Sequence, residues 1–309
     1  MRATPGAPGQ FEARVVAGFG RHFIVEDGAG LLYEAQRRGK RGDVVINDRV
    51  QCRRAAAAQA VIESILPRTS LLMRADGARS KSLAANVDRM VVVFAPRPAF
   101  SERFLWRALL AADAARVAPL IVLNKTDLDE SGTGARALAR LQRLGYATMA
   151  ISAKGAPGPA RATLREALGA ASNLMVGQSG MGKSTLINLL VPQANARTQE
   201  YSARLNLGRQ TTTASRLFAL DGGGEIIDTP GFQAFGLAHL EPQQLAAAMP
   251  DFAPLLGRCR FSDCRHLAEP GCAVRESIAA GAIDAARHAF YAELLAEMDA
   301  LRRRDPTLP

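Results

Sequence analysis

The chain has 309 residues, 48% of them hydrophobic, and a formal net charge of +10. This length and apolar content predict two or three domains with real hydrophobic cores. No apolar run is long enough to cross a membrane, and residues 1–10 lack the apolar stretch of a secretion signal. These features exclude membrane and secreted classes. We therefore expect a cytoplasmic monomer that contacts no membrane and has a disordered lead-in at residues 1–10.

The positive net charge indicates a polyanionic partner such as a nucleic acid. The alternative is a coding bias toward arginine that raises the charge without serving a function.

Residues 11–68 read as short strands separated by turns that contain glycine or aspartate. The predicted strands are 11–16, 22–26, 31–35, 49–53 and 61–65, a pattern typical of a small β-barrel such as an OB-fold. Up to residue 85 there are 14 Lys and Arg against 8 Asp and Glu, and residues 37–41 form a basic loop. Such a barrel suits phosphate contacts with RNA. A solvated loop on an inert barrel is the alternative, and the few aromatic residues (Phe19, Phe23, Tyr33) make base stacking a weak prediction.

Residues 69–85 are polar and basic, and we interpret them as a linker. The style of the sequence then changes over residues 86–238, where continuous apolar runs such as 89–95, 119–123 and 173–176 predict strands of a parallel sheet that is buried on both faces. Helical spacing separates these runs at 104–115, 135–144 and 162–170. This pattern predicts an α/β domain.

A phosphate-binding motif follows the strand at 173–176. It has the form G-x-x-x-x-G-K-[ST] and comprises Gly177, Gln178, Ser179, Gly180, Met181, Gly182, Lys183, Ser184 and Thr185. Its glycines allow backbone N–H groups to wrap phosphate oxygens at a helix N-terminus. Lys183 would reach the β- and γ-phosphates, and the Ser184 hydroxyl would bind Mg²⁺. The alternative is a chance glycine-rich turn.

Asn124-Lys125-Thr126-Asp127 follows the strand at 119–123, in the pattern N-K-x-D. The Asp127 carboxylate can accept hydrogen bonds from N1–H and the exocyclic amine of guanine, whereas adenine offers neither donor there. Asn124 would tie neighbouring loops together, and the stem of Lys125 would cover the base. Ser152-Ala153-Lys154 ends the next strand, where the Ala153 N–H could meet guanine O6.

Two further segments predict the γ-phosphate end of the pocket. Residues 195–210 are polar and lead into Thr211-Thr212-Thr213, where Thr212 is the favoured Mg²⁺ ligand and γ-phosphate sensor. A plain edge strand is the alternative. Asp228-Thr229-Pro230-Gly231 has the form D-x-x-G, with Asp228 in the Mg²⁺ shell and the Gly231 N–H on the γ-phosphate.

The order of these motifs is unusual, because N-K-x-D precedes the P-loop and D-x-x-G ends the domain. This order indicates a circular permutation, which is tolerable because domain termini lie close together.

Residues 239–309 contain Cys259, Cys264, His266 and Cys272 within 14 positions. Three thiolates and one imidazole make a complete tetrahedral set for one structural Zn²⁺. The alternative is a group of reduced cysteines in a small core. A long helix is predicted at about 277–304, so this region reads as a small helical zinc-binding domain.

Taken together, these motifs resemble the ribosome small-subunit-dependent GTPase A family (RsgA, also called YjeQ), and the resemblance spans nearly the whole chain. It implies an OB-fold, a circularly permuted P-loop GTPase domain and a zinc-binding domain. It also implies GTP hydrolysis stimulated by the 30S ribosomal subunit late in its maturation, with 16S rRNA binding and release of assembly factors. Lys183, Thr212 and Gln210 are the predicted catalytic residues.

The chain departs from the family at Gln210, where members usually have histidine. Gln210 could still orient the attacking water, with an altered pH dependence. Phe232 stands where Ras-like enzymes carry a water-positioning glutamine, so slow intrinsic hydrolysis is expected.

Two alternative functions remain at this point. One is a non-enzymatic RNA-binding scaffold that keeps a guanine nucleotide as a structural cofactor, an interpretation that Phe232 supports. The other is an ATP-using P-loop kinase, which Asn124 and Asp127 disfavour.

Overall fold

A computed structural model describes residues 9–37, 44–76, 79–194, 214–229 and 235–305. The strands are β1 (Gln10–Phe19), β2 (His22–Asp27), β3 (Leu32–Arg37), β4 (Arg49–Ala56), β5 (Gln59–Ile65), β6 (Leu71–Asp76), β7 (Arg79–Ala85), β8 (Arg89–Phe94), β9 (Ala118–Leu123), β10 (Ala147–Ala150), β11 (Ser172–Val176), β12 (Ser215–Ala219) and β13 (Glu225–Asp228). The helices are α1 (Glu102–Ala114), α2 (Thr133–Arg143), α3 (Pro157–Leu168), α4 (Lys183–Leu190), α5 (Pro242–Ala247), α6 (Ala273–Ala279) and α7 (Ala285–Arg304).

The first five strands close into a barrel in the order β1-β2-β3-β5-β4, with β4 returning to pair with β1. Alternate side chains point inward, and the interior is filled by residues such as Val15, Val25 and Ile62, each fully buried. This arrangement confirms the predicted OB-fold barrel. Because β1 begins at Gln10, the residue belongs to the barrel, while residues 1–8 of the predicted disordered lead-in lie outside the described part of the chain.

The strands of the α/β region lie side by side in the order β10-β9-β8-β11-β13-β12. Neighbours from β10 to β13 are parallel, and β12 is antiparallel to β13. β8 and β11 lie in the middle, where their apolar residues 90–94 and 174–176 are buried, which explains the hydrophobic runs in the sequence. The carboxyl ends of β9, β10 and β11 therefore meet at one edge, where the motif loops begin.

Residues 69–85, interpreted from their polarity as a linker, contain a β-hairpin made of β6 and β7. Leu72, Leu83 and Ala84 of this hairpin are buried in the main hydrophobic core. The buried residues belong to two short apolar runs, 71–73 and 83–85, which the overall polarity of the segment conceals.

The C-terminal region is helical, as predicted, but the single helix expected at 277–304 is two helices. α6 ends before Gly281, whose φ is +72°, and α7 begins after Asp284, whose side chain accepts a hydrogen bond from Ala286 N at 2.8 Å. A left-handed glycine followed by an N-capping aspartate separates them. Within the described ranges, no helix is both long and apolar enough to cross a membrane.

A buried carboxylate joins the segment before β4 to the segment after β5. Asp48 is fully buried, and Arg68 donates to it from two nitrogens at 2.7 and 2.8 Å, while Val45 N donates to it at 2.8 Å. Its neighbour Asn47 donates to the Asn86 carbonyl and to Ser172 Oγ, which joins the barrel to the base of the parallel sheet.

Replacing Asp48 by alanine removes the fork to Arg68 and the bond to the Val45 amide. Since breaking one side of a buried ion pair costs about 3–5 kcal/mol, we expect a loss of that order in the free energy of urea unfolding. Arg49→Ala is the control. It breaks the exposed Arg49–Glu12 pair and should cost at most about 1 kcal/mol. Equal losses in the two variants would contradict the role given to Asp48.

Candidate nucleotide site and metal centre

The P-loop connects β11 to the N-terminus of α4 in the strand–loop–helix arrangement that the motif predicts. Gly182 caps the helix at φ +94°. A Cβ on Gly182 would collide with the Asn124 side-chain amide, and one on Gly177 with the Val93 carbonyl oxygen. The loop is therefore a close-fitting backbone cradle, as a phosphate site requires.

Lys183 lies inside this cradle, where its ammonium donates to the carbonyls of Gly177 at 2.6 Å and Gln178 at 3.0 Å. Burial lowers the pKa of Lys183, and the nearby Asp228 carboxylate opposes that shift. Burial likewise raises the pKa of Asp228, against the opposing effect of Lys183 and Arg216. One carboxylate thus faces two cations, an electrostatic setting suited to a polyphosphate with its metal ion. Ser184, which follows Lys183 in the sequence, is exposed.

Asn124 joins the loops of the site. It is only 1% exposed, and its amide nitrogen donates to the Met181 carbonyl of the P-loop at 3.1 Å. Its side-chain oxygen accepts from Ala153 N, also at 3.1 Å. Asn124 therefore connects the N-K-x-D loop to the P-loop and to the loop that follows β10.

Asp127 is exposed at the rim of the pocket, where Ser152 Oγ donates to one of its carboxylate oxygens. Ser152 is itself held by Gly155 N, which donates to its hydroxyl at 2.9 Å. A Cβ on Gly155 would collide with that hydroxyl and would be in van der Waals contact with Asp127. The second loop therefore fixes the orientation of the carboxylate that is predicted to read guanine.

Lys125 and Ala153 make contacts that their motifs do not predict. The Lys125 ammonium donates to the carbonyls of Gly180 at 2.7 Å and Arg97 at 2.9 Å, so its stem crosses the P-loop. The Ala153 amide, assigned to guanine O6, donates to Asn124 in this structure. Its role at the base stays a prediction, as does that of the exposed Lys154.

Several predicted residues lie outside the described part of the chain, namely Gln210, Thr212, Gly231 and Phe232. Their roles remain expectations.

The structure adds a contact between the P-loop and α1. The Gln178 side-chain oxygen accepts from Ser101 N at 2.7 Å, and Ser101 caps α1 through the Phe104 amide. Nothing in the local sequence signals this bond, because the two residues are 77 positions apart and meet only through the sheet.

The four predicted metal ligands converge in the C-terminal region. His266 Nδ1 lies 3.5, 3.6 and 3.4 Å from the sulfur atoms of Cys259, Cys264 and Cys272, and all four ligand atoms lie within 4.8 Å of one another. A tetrahedral zinc with bonds of about 2.3 Å to sulfur and about 2.0 Å to nitrogen would separate its sulfur and nitrogen ligands by about 3.5 Å. The donor set therefore fits one tetrahedral metal ion.

The loop that carries these ligands is held by polar contacts. Glu269 accepts from the amides of Arg265, Leu267 and Ala268. Burial alone would raise the pKa of Glu269, but its own backbone amide and these three amides lower it to about 2. From α7, His288 contacts the His266 carbonyl at 2.7 Å. The metal centre is thus attached to the longest helix of the region.

The P-loop and N-K-x-D meet at one sheet edge in reversed chain order, with a barrel before them and a Cys₃His cluster after them. This arrangement defines a circularly permuted GTPase. The family model described as RsgA GTPase matches residues 65–238. The chain belongs to the RsgA GTPase family, and it is a GTP-hydrolysing enzyme of that family.

The relatives cover the chain almost from end to end. The small ribosomal subunit biogenesis GTPase RsgA of Burkholderia pseudomallei (strain K96243) is 49% identical over 306 residues, 97% of each chain. The protein of the same name from Paraburkholderia phytofirmans is 50% identical over 94% of each chain.

Among solved structures, YjeQ from Thermotoga maritima aligns with a TM-score of 0.70 at 29% identity, covering 94% of this chain and 98% of that one. YloQ, a circularly permuted GTPase, aligns with a TM-score of 0.67 at 24% identity over 96% of each chain, which supports the fold.

Asp127→Asn tests the base-reading role. Asparagine keeps one hydrogen-bond acceptor, but its side-chain NH2 donor would face the exocyclic amine of guanine, which is also a donor. Xanthine has a carbonyl oxygen in place of that amine and can accept the hydrogen bond. We expect GTP affinity to fall at least about 100-fold and xanthosine triphosphate to bind more tightly than GTP, as titration of the two nucleotides would measure.

Glu130→Gln is the matched control for this variant. It removes an exposed carboxylate three positions away that pairs with Arg97, and nucleotide preference should not change. Retained guanine preference in Asp127→Asn would count against the assignment.

Proposed function

We propose that this protein hydrolyses GTP on the small ribosomal subunit late in its maturation, binding 16S rRNA and promoting release of assembly factors. The observation that carries the proposal is the end-to-end match to relatives named small ribosomal subunit biogenesis GTPase, at 49% identity over 97% of the chain. The match includes the barrel and the metal cluster as well as the nucleotide pocket. A ribosomal partner would place this protein in the cytoplasm, where it would act as a monomer.

In the proposed reaction, the P-loop amides and Lys183 hold the phosphates, and Ser184, Thr212 and Asp228 hold Mg²⁺, which supplies charge neutralisation at the β- and γ-phosphates. Asn124, Asp127 and Ala153 read guanine. Gln210 orients the attacking water. Since Phe232 stands where Ras-like enzymes carry a water-positioning glutamine, intrinsic turnover should be slow and the ribosome should accelerate it.

RNA contacts by the barrel would use phosphates more than bases. Phe19, Phe23 and Tyr33 are each at most 8% exposed, so their faces do not offer stacking surfaces. On β4, Arg49 and Arg53 are exposed but pair with Glu12 and Glu63. The basic loop at 38–41 lies outside the described residues. Binding through such a surface should weaken steeply with salt.

Zinc is the metal proposed for the Cys₃His centre, because three thiolates with one imidazole in tetrahedral spacing favour it over harder cations. With all four positions taken by protein ligands, its role would be structural. The alternative of a non-enzymatic scaffold is not favoured, since the chain belongs to a GTPase family.

Turnover of GTP should rise at least tenfold when isolated 30S subunits are added, because Phe232 stands where Ras-like enzymes carry a water-positioning glutamine and intrinsic hydrolysis should be slow. The measurement is phosphate release under multiple turnover, with 50S subunits at equal concentration as the control. An unchanged rate with 30S, or equal acceleration by 50S, would contradict the proposal.

Elemental analysis should find one zinc per chain. Cys264→Ala should lose the metal and unfold the C-terminal region, since a structural zinc site supplies folding free energy. Cys52→Ala is the matched control, because this thiol is buried in the barrel, far along the chain from the cluster, and its removal should leave the zinc content unchanged. A wild-type protein without bound metal would refute the assignment.

A further inference from the structure

Helix α1 makes polar contacts with the P-loop and with two parts of the molecule that come after the nucleotide motifs. Its N-terminal cap, Ser101, is bonded to Gln178 of the P-loop. Two turns further along, Arg107 Nε donates to the Phe235 carbonyl at 3.0 Å. The other two guanidinium nitrogens form a fork on Glu297 of α7, at 2.8 and 2.6 Å. One arginine therefore binds both the chain after D-x-x-G and the C-terminal helix.

The residue that Arg107 holds is firmly placed. Phe235 is fully buried, its ring lies 6.3 Å from that of Phe104 on α1, and it forms a β-bridge with Arg74 of the hairpin. The next amide, Gly236 N, donates to the Met73 carbonyl at 3.1 Å. Main-chain bonds to the hairpin thus hold this segment from one side, and Arg107 from another.

The chain length makes this attachment relevant to the reaction. Phe235 comes four residues after Gly231, so the two cannot be more than about 14 Å apart. In the permuted order D-x-x-G is the last of the nucleotide motifs, and Phe235 is the first described residue after it. A fixed Phe235 would restrict the positions that the Gly231 amide, predicted to bind the γ-phosphate, can occupy.

We propose that Arg107 is a positioning residue for GTP hydrolysis: by binding the Phe235 carbonyl, it holds the chain after D-x-x-G in register with the P-loop. Arg107 contacts neither nucleotide nor metal and acts through Phe235. Its side chain is 17% exposed and well oriented by Glu297, as a positioning contact requires.

Arg103 provides a matched control. It lies one turn earlier on the same helix and pairs with Glu293 of α7, with 68% of its side chain exposed. It shares with Arg107 the link to α7, whereas only Arg107 binds Phe235 among the contacts that the structure describes. Comparing the two separates the carbonyl contact from general attachment of the C-terminal helix.

The test is the affinity of Arg107→Met and Arg103→Met for GDP and for a non-hydrolysable GTP analogue, measured by fluorescence with Mg²⁺ and without ribosomes. We expect Arg107→Met to lower the affinity for the GTP analogue about tenfold and the affinity for GDP less than about twofold, because only the analogue has a γ-phosphate. Arg107→Lys, which keeps one donor for the carbonyl, should fall between. Arg103→Met should leave both affinities unchanged.

The proposal would be overturned if Arg107→Met lowered the affinities for GDP and for the GTP analogue equally, or lowered neither. It would also be overturned if Arg103→Met changed the ratio of these two affinities as much as Arg107→Met does. If Arg107→Met does not fold, Arg107→Lys is compared with Arg103→Lys, and the ratio of the affinities for the GTP analogue and GDP decides in the same way. The inference rests on GTP binding within the proposed function. Because the assay contains no ribosomes, its failure is distinguishable from a failure of 30S stimulation.

Discussion

The nucleotide pocket depends on one buried amide, the side chain of Asn124. Its nitrogen donates to the P-loop at Met181, its oxygen accepts from Ala153, and the backbone amide of the same residue is bonded to the Phe94 carbonyl of the neighbouring strand. A buried amide with both ends satisfied stabilises this arrangement, and shifting any one loop would leave a polar group unpaired in the core. The phosphate cradle and the base-reading loop are therefore held as one unit, although they are far apart in the chain.

Sheet adjacency, and not chain order, builds this site. β8 lies between β9 and β11, so N-K-x-D and the P-loop begin at the same edge in spite of the permutation. The permutation changes the course of the chain after D-x-x-G. From Phe235 onward the chain contacts the hairpin of β6 and β7 as well as α1, and it continues into the C-terminal region that carries the metal ligands. The segment predicted to sense the γ-phosphate is thereby attached directly to the C-terminal region.

Much of this was predictable because the signals are local. The P-loop, the parallel strands and the four metal ligands follow from spacing and residue type, and the strands of the barrel follow from the turns that separate them. The hairpin at 71–85 was interpreted as a linker because its buried residues are few. The break between α6 and α7 depends on Gly281 adopting a left-handed conformation. The contacts of Gln178 with Ser101 and of Arg107 with Phe235 join residues far apart in sequence, so only the folded chain reveals them.

If the permuted loops form one pocket selective for guanine, the wild-type protein must distinguish GDP from ADP. Calorimetric titration with each diphosphate in the presence of Mg²⁺ measures this selectivity. We expect one GDP site per chain, and a large excess of ADP should not displace the bound GDP. Adenine lacks the N–H donors from which Asp127 is predicted to accept hydrogen bonds. Equal binding of the two diphosphates, or no heat with GDP, would contradict a guanine-selective pocket.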